Sequence, residues 1–189
     1  AQETYDFART LTDSVVMTSP NCLTGTDRMI ELRQQGKTQG DIWINWQVDQ
    51  PFITQEMIET LLGQLDNGAD VWTLKKLFTP DESIDDPNDV KVVTDKLGKA
   101  LYFSRYAIPY MQSCPAPVYK HVGIYAYTDN ALDAIGQMPP ADIEKAESLE
   151  QLRYLYNGLT ISVGETVTDV VGIDHPSDLV LAEKKFQSS

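Results

Sequence analysis

Two aspartates, Asp49 and Asp174, each stand where a predicted strand ends and a predicted helix begins. Ligands of open α/β sheets bind beyond the carboxyl ends of the strands, so both side chains are candidates for a site there. A pair of carboxylates, together with the phosphates of a nucleotide, is a usual way for proteins to hold Mg²⁺. The pattern is equally consistent with a turn aspartate at position 49 and a helix N-cap at position 174.

A turn and an arginine are candidates for binding polar groups. The turn at 24–28, Thr-Gly-Thr-Asp-Arg, precedes a predicted helix. Its backbone N–H groups, with Arg28 beside them, suit a polar ring or a phosphate, although such turns are common. Arg105 follows an apolar run and could hold a carboxylate through two parallel hydrogen bonds; the structural alternative is a surface ion pair.

The remaining candidates are weaker when each is taken alone. His121 lies inside the alternating run 119–127, and an isolated histidine on a strand is more often structural than catalytic. Glu147 and Gln151 belong to one predicted helical segment that also carries Glu150 and Arg153. By itself, this group indicates a solvated helix face.

The elements that position these residues alternate between strand and helix. Strands are predicted at 14–18, 42–46, 70–77, 90–94, 99–104, 119–127, 159–165 and 169–173. Helices are predicted at 4–12, 26–35, 55–65, 129–135, 144–156 and 176–186. This alternation predicts an α/β fold with a mostly parallel sheet, right-handed crossovers and helices on both faces. With no repeat or linker, residues 1–189 are predicted to form a single domain.

Composition excludes several classes of function. The hydrophobic content of 42% is enough for a sizeable core, and no stretch approaches the ~20 apolar residues that span a bilayer. The net charge of −13 argues against nucleic acid and against anionic membrane surfaces as partners. An anionic nucleotide would therefore depend on local cations or Mg²⁺. Cys22 and Cys114 lack metal-site spacing, so we expect free thiols in a reducing, cytoplasmic compartment.

Six stretches, taken in order, resemble the 3-deoxy-manno-octulosonate (Kdo) cytidylyltransferases, the CMP-Kdo synthetases of lipopolysaccharide assembly. They are LTGTDR at 23–28, VKVVTD at 90–95, ALYFSR at 100–105, HVGIYAY at 121–127, ESLEQLR at 147–153 and GIDHPSD at 172–178. Each stretch alone is a weak indication. Six ordered stretches across residues 5–186 are a specific one.

The resemblance implies a fold and a reaction. The fold is a Rossmann-like nucleotide-diphospho-sugar transferase fold. In the reaction, the anomeric hydroxyl of the acid sugar Kdo attacks the α-phosphate of CTP, giving CMP-Kdo and pyrophosphate. Such a transfer needs positioning and charge neutralisation more than covalent chemistry from the protein. The resemblance also implies Mg²⁺ on Asp49 and Asp174, and a homodimer.

The resemblance further implies which residues contact the substrates. The turn with Gly25 and Arg28 lies by the cytosine, and Gln47 is a substrate contact in the motif before Asp49. The residues that surround the sugar acid are Arg105, His121, Tyr125, Glu147 and Gln151.

Two departures from the family pattern lower the expected turnover. The family begins with a strand and a basic glycine loop that grips the triphosphate, and neither precedes residue 1. We therefore expect an N-terminally truncated domain, the C-terminal three-quarters of the family domain. The family motif Gln-Gly-Asp-Glu-Pro reads Gln47-Val-Asp-Gln-Pro51 here. Val48 restricts close backbone approach, and Gln50 removes a negative charge beside Asp49.

Two other interpretations remain open from the sequence. One is a non-catalytic truncated relative or fragment that binds the sugar acid or a partner subunit. The other is a related nucleotidyltransferase that uses a different acid sugar.

Overall fold

The first forty residues contain two helices, α1 (Gln2–Leu11) and α2 (Gly25–Gln34). Helix α2 begins with a capping box, in which the Thr24 hydroxyl accepts the Asp27 N–H at 3.1 Å and the Asp27 carboxylate accepts the Thr24 N–H at 3.1 Å. The predicted strand at 14–18 is wrong. That segment pairs with no other described strand, and isolated extended backbone has no ladder to stabilise it.

The computed structural model describes residues 2–168, 172–173, 179–180 and 182–183. Two compact units are distinguished, Ala1–Gly40 and Asp41–Ser189. The prediction of one domain over residues 1–189 stays a prediction. Asp174, most of the predicted strand 169–173 and most of the predicted helix 176–186 lie outside the described residues.

The second unit carries the sheet and the remaining helices. Its strands are β1 (Ile42–Asn45), β2 (Val71–Leu77), β3 (Lys91–Thr94), β4 (Ala100–Ser104), β5 (Tyr119–Thr128) and β6 (Ile161–Glu165). Its helices are α3 (Gln55–Leu62), α4 (Asp129–Ile135), α5 (Asp142–Glu147) and α6 (Gln151–Tyr156), with a short 3₁₀ turn at Leu65–Asn67. Among the described helices, none combines the length and apolar character needed to cross a bilayer.

The sheet is mixed, and the prediction of a mostly parallel sheet is wrong. Its order is β4-β3-β5-β2-β6, with β1 beside the second half of β5. Of the pairings between described strands, only β2 with β6 is parallel, because β5 runs against β1, β2 and β3. Strand β5 follows a hairpin and a helix-free loop at 105–118, so no crossover helix sets its direction.

The strand directions bring the carboxyl ends of four strands to one edge of the sheet, which we call the functional edge. Strands β1, β2, β3 and β6 all run the same way, so their carboxyl ends lie at the edge where β5 begins. The loop after β1 therefore lies at the same edge as the first residues of β5. This edge of a mixed sheet takes the place of the parallel edge that the sequence predicts.

The helices cover both faces of the sheet, as predicted. On one face, Met57 and Leu61 of α3 belong to a buried cluster with Trp72, Ile124 and Ala126. On the other face, Tyr127 of β5 contacts Tyr154 of α6 with a ring separation of 6.2 Å. His121 and Tyr125 share the face of Tyr127, because the three rings form one row with separations of 5.3 Å and 5.7 Å.

Candidate functional site

A cavity of about 190 Å³ opens at the edge where β5 begins. Its wall comes from four regions: the loop after β1, the loop before β3, the first residues of β5, and Gly172 in the segment after β6. The lining residues are Gln50, Asn88, Asp89, Val90, Lys120, His121, Val122, Gly123 and Gly172. Among the predicted site residues that the structure describes, only His121 lines this cavity directly.

His121 is held on three sides. Its ring meets Phe103 edge-on at 5.2 Å and Tyr125 at 5.3 Å. Its Nε2 lies 3.0 Å from the hydroxyl of Thr73. Burial lowers the pKa of His121 to about 3, so the imidazole is neutral at pH 7 and is a poor proton acceptor. The site thus contains a hydrogen-bonding histidine rather than a charged one.

Gln50 lies against Gly123, on the wall of the same cavity. A Cβ atom at Gly123 would stand 2.6 Å from Gln50 Nε2, so the amide occupies space that only glycine leaves open. The Gln50 Oε1 atom is buried and has no hydrogen-bond partner in the described part of the chain. The sequence suggests only a lost charge beside Asp49, whereas the structure places the Gln50 side chain beside the residues that follow His121.

The structure brings Arg105 and Glu147 into contact. The sequence offers two interpretations of Arg105, a carboxylate-binding residue and a surface ion pair, and neither predicts the main-chain contacts described next. The Arg105 guanidinium donates to the main-chain oxygens of Glu147 at 2.7 Å and Pro87 at 2.8 Å. It pairs with no carboxylate among the described residues, so it is not a surface ion pair. Its positive charge therefore has no salt-bridge partner in the part of the chain that is described.

Glu147 also fixes the end of β4. Its Oε1 accepts the Ser104 hydroxyl at 2.8 Å and its Oε2 accepts the Arg105 N–H at 2.9 Å. It is the last residue of α5, which ends because Ser148 adopts a left-handed conformation with φ 52°. The prediction that Glu147 lies on a solvated helix face is wrong, because both oxygens of its carboxylate accept hydrogen bonds from other parts of the fold.

Tyr125 and Gln151 are both buried on the same side of the sheet as His121. The Tyr125 hydroxyl has no hydrogen-bond partner among the described residues, and burial raises its pKa well above the usual value. The Tyr125 ring stacks on Tyr127 at 5.7 Å, and Tyr127 contacts Tyr154 of α6. Gln151 is the first residue of that helix. The aromatic row thus connects His121 to the helix that carries Gln151.

The candidates for the nucleotide lie in two different units. In the first unit, Gly25 is the first residue of α2, and Arg28 donates to the Thr18 hydroxyl at 2.5 Å and the Cys22 oxygen at 3.3 Å. Gln47 is exposed in the second unit, in a turn closed by its oxygen accepting the Gln50 N–H at 3.1 Å. Their contacts with a nucleotide stay predictions.

Of the two metal candidates, Asp49 belongs to the described part of the chain. Asp49 is exposed at the functional edge, and its main-chain oxygen accepts the N–H of Ile173 at 2.8 Å. The segment that leads into Asp174 therefore meets the loop of Asp49, although Asp174 itself lies outside the described residues. The described residues contain no cluster of three or more metal-ligating side chains. A Mg²⁺ site on Asp49 and Asp174 therefore stays a prediction.

A cluster of lysines behind the cavity has no counterpart in the sequence predictions. Glu82 accepts Lys120 Nζ at 2.6 Å and Lys76 Nζ at 3.3 Å, and it also accepts the Thr79 N–H at 2.7 Å. Burial alone raises the pKa of Glu82, but the hydrogen bonds from Lys120 and Thr79 outweigh it and lower that pKa to about 2. The sequence feature that indicates such a cluster is lysine inside apolar strand sequence, as at 75–76.

Comparison with known proteins starts from sequence. A cytidylyltransferase family model matches residues 1–161. The 3-deoxy-manno-octulosonate cytidylyltransferase of Pelodictyon phaeoclathratiforme is 40% identical over 181 residues, which are 93% of this chain and 72% of the relative. The protein of the same name from Porphyromonas gingivalis is 41% identical over 176 residues, covering 87% of this chain and 69% of the relative.

The structural comparison agrees with the sequence comparison. A solved CMP:2-keto-3-deoxy-manno-octonic acid synthetase complexed with CTP matches with a TM-score of 0.91 and 35% identity, covering 100% of this chain and 78% of that one. The inositol-1-phosphate CTP transferase from T. maritima, with a TM-score of 0.68 at 11% identity over 97% of this chain and 71% of that one, shares the fold alone. These findings confirm the resemblance that the ordered motifs indicate. The chain belongs to the 3-deoxy-manno-octulosonate cytidylyltransferase family of nucleotidyltransferases.

Proposed function

We propose that this chain transfers CMP from CTP to the acid sugar Kdo, releasing pyrophosphate. The observation that carries the proposal is the cavity around His121, at the sheet edge of a chain that is about 40% identical to Kdo cytidylyltransferases. The sugar hydroxyl oxygen forms a bond to the α-phosphorus, and the bond from that phosphorus to the bridging oxygen of pyrophosphate breaks. The hydroxyl proton passes to solvent.

The charges near the cavity support an acid sugar as the acceptor. Arg105 has a guanidinium that no described carboxylate neutralises, so it can attract the sugar carboxylate. Lys120 also lines the cavity, but Glu82 at 2.6 Å and Asp89 at 3.6 Å pair with its charge, so Arg105 is the cation assigned to the acid sugar. His121, being neutral, suits a sugar hydroxyl better than a carboxylate. We assign Arg105 to the carboxylate and His121, Tyr125, Glu147 and Gln151 to the sugar body.

The nucleotide half is assigned to a second set of residues. We assign the cytosine to the turn with Gly25 and Arg28, and we assign Gln47 to the substrate contacts at the sheet edge. Asp49 and Asp174 would hold Mg²⁺, which neutralises the phosphates when bound. The strongly acidic chain supports a metal requirement, since a net charge of −13 repels a triphosphate.

Family membership supports three further proposals. The chain acts in lipopolysaccharide biosynthesis, forms a homodimer and works in the cytoplasm. The cytoplasmic assignment is supported by Cys22 and Cys114, which are both free thiols in this structure.

The test is pyrophosphate release with CTP, Mg²⁺ and Kdo, with CMP-Kdo identified by mass spectrometry. We expect release only when all three are present, and none when N-acetylneuraminate replaces Kdo. Release with N-acetylneuraminate alone would redirect the proposal to another acid sugar. Calorimetric binding of Kdo without any release would instead support a sugar-binding protein that does not turn over. The exposed Val48 in the family's strand-end motif is the feature that favours this second outcome.

A further inference from the structure

Thr73 is a buried residue of β2 whose hydroxyl has three neighbours in β5. Its Oγ1 lies 2.8 Å from the Ile124 oxygen, 3.1 Å from the Val122 oxygen and 3.0 Å from His121 Nε2. The Thr73 side chain is fully excluded from solvent. Hydrogen bonds in such a place are fixed by the geometry, because water cannot replace a missing partner.

The two carbonyls converge on Thr73 because β5 is bulged at this point. Thr73 is opposite Tyr125 whereas Leu74 is opposite Val122, so Gly123 and Ile124 have no partner in β2. A bulge of this kind re-aims groups beside a site. The Val122 and Ile124 oxygens thereby reach the threonine hydroxyl.

Counting protons relates the tautomer of His121 to the hydrogen bonds of the Thr73 hydroxyl. Carbonyl oxygens only accept, and a hydroxyl has one hydrogen to donate. If the Thr73 hydrogen is given to a carbonyl of β5, its oxygen can only accept from the histidine. His121 must then carry its proton on Nε2, which leaves a lone pair on Nδ1.

Nδ1 is the atom left for a ligand. It has no hydrogen-bond partner among the described residues, and His121 lines the cavity. We propose that Thr73 is a positioning residue that locks His121 in the Nε2–H tautomer and presents Nδ1 as an acceptor for a sugar hydroxyl. This inference rests on the proposed function for the identity of the ligand, but not for the tautomer.

The tautomer is tested without any substrate. The chain has two histidines, so long-range ¹⁵N–¹H NMR spectra of the labelled protein are simple, and a His175→Gln variant assigns them. We expect the Nε2–H pattern for His121 at pH 7 in the unmodified chain and in Thr73→Ser. In Thr73→Val, mixed or exchanging tautomers are expected. An Nδ1–H pattern in the unmodified chain, or an unchanged spectrum in Thr73→Val, would overturn the proposal.

The ligand role is tested by calorimetric titration with Kdo and, separately, with CTP and Mg²⁺. Loss of the positioned acceptor should weaken Kdo binding about tenfold in Thr73→Val, less than about twofold in Thr73→Ser, and leave CTP binding unchanged. Exposed Thr38→Val is the control for the substitution itself. Equal weakening of both ligands would refute a specific positioning role.

Two checks separate the possible failures. Circular dichroism and the thermal midpoint establish that Thr73→Val is folded, and Thr73→Ser keeps the test decisive if it is not. If the unmodified chain binds no Kdo, the acceptor role and the proposed function both fail, while the NMR spectra still decide the tautomer.

Discussion

Arg105 and Glu147 hold each other through main-chain groups instead of a salt bridge. The Arg105 Nε–H donates to the main-chain oxygen of Glu147 at 2.7 Å, and the Glu147 carboxylate accepts the main-chain N–H of Arg105 at 2.9 Å. The arrangement connects the end of β4 to the end of α5. It orients the guanidinium while leaving its charge without a described carboxylate partner.

Replacing Arg105 with alanine should therefore weaken binding of the acid sugar much more than binding of CTP. We expect Kdo binding to weaken by about 100-fold and CTP binding by less than threefold, since a charge-assisted hydrogen bond contributes about 1.5–3 kcal/mol. Calorimetry with each ligand measures the difference, and Arg9→Ala, on an exposed surface pair, is the control. Equal weakening of both ligands would contradict the assignment to the sugar carboxylate.

Asp49→Asn should remove activity without removing stability. The side chain is exposed, so the free energy of unfolding should change by less than about 0.5 kcal/mol. If Asp49 holds Mg²⁺ as proposed, loss of its carboxylate should lower pyrophosphate release at least about 100-fold and raise the Mg²⁺ concentration needed. Asp66→Asn, another exposed aspartate, should release pyrophosphate like the unmodified chain. Normal activity of Asp49→Asn would exclude Asp49 as a metal ligand.

Gly123→Ala should change the shape of the cavity while having only a small effect on the free energy of unfolding. The new Cβ meets the far end of the Gln50 side chain, which can move, so we expect a loss of less than about 1 kcal/mol in unfolding free energy. The displaced amide should lower Kdo affinity, and Gln50→Ala combined with Gly123→Ala should restore part of it.

The matched control for this glycine is Gly158, whose φ is +86° and whose Cβ position is open. Gly158→Ala should cost about 1 kcal/mol in stability through backbone strain and leave Kdo binding unchanged. Chemical denaturation and calorimetry on both variants separate strain from cavity shape. Unchanged Kdo affinity in Gly123→Ala would mean that the Gln50 wall does not contact the ligand.

Glu82→Gln should destabilise the loop before β3. Two largely buried cations, Lys76 and Lys120, would lose their shared carboxylate, and we expect a cost of about 2 kcal/mol at pH 7. Asp142→Asn breaks the exposed pair with Lys145 and should cost less than about 0.5 kcal/mol. Urea denaturation of both variants gives the comparison. A cost for Glu82→Gln no larger than that for Asp142→Asn would show that the lysines do not depend on Glu82.

The pH dependence of the Glu82 contribution has a definite sign. The folded-state pKa of about 2 lies below the ordinary value of 4.5, so the contribution is complete above pH 4.5. It is lost as the pH falls from 4.5 through 2. The stability difference between the unmodified chain and Glu82→Gln should shrink across that window. A constant difference from pH 7 to 3 would contradict it.

His121 is a second cause of lower stability in acid. Its effect on the free energy of unfolding begins at a higher pH than that of Glu82. Its folded-state pKa of about 3 lies below the ordinary 6.5, because burial disfavours the imidazolium. The unfolded chain binds the proton first, so stability falls as the pH drops from 6.5 towards 3, by up to about 2 kcal/mol at pH 5. Urea denaturation at pH 7.5 and 5.0 should show a smaller decrease for His121→Gln. An equal decrease in both proteins would disprove the assignment.

The sequence by itself determined the family and many local elements. Ordered motifs identify the family, and the comparisons confirm it. The predicted helix 129–135 matches α4, and the predicted strand 119–127 is one residue short of β5. Helix α3, which matches the start of the predicted helix 55–65, is capped by Thr54, whose hydroxyl accepts the Met57 N–H at 3.3 Å. Such features depend on residues a few positions apart, so periodicity and capping patterns report them.

Only the tertiary structure decided the directions of the strands and which side chains meet at the site. No local pattern predicts that β5 runs against its neighbours, or that a helix predicted at 144–156 breaks at Ser148 to put Glu147 on Arg105. The contact of His121 with the Thr73 hydroxyl, 48 positions away in the sequence, is decided in the same way. Long-range pairing sets these relationships, because each depends on which strand lies beside which and in what register.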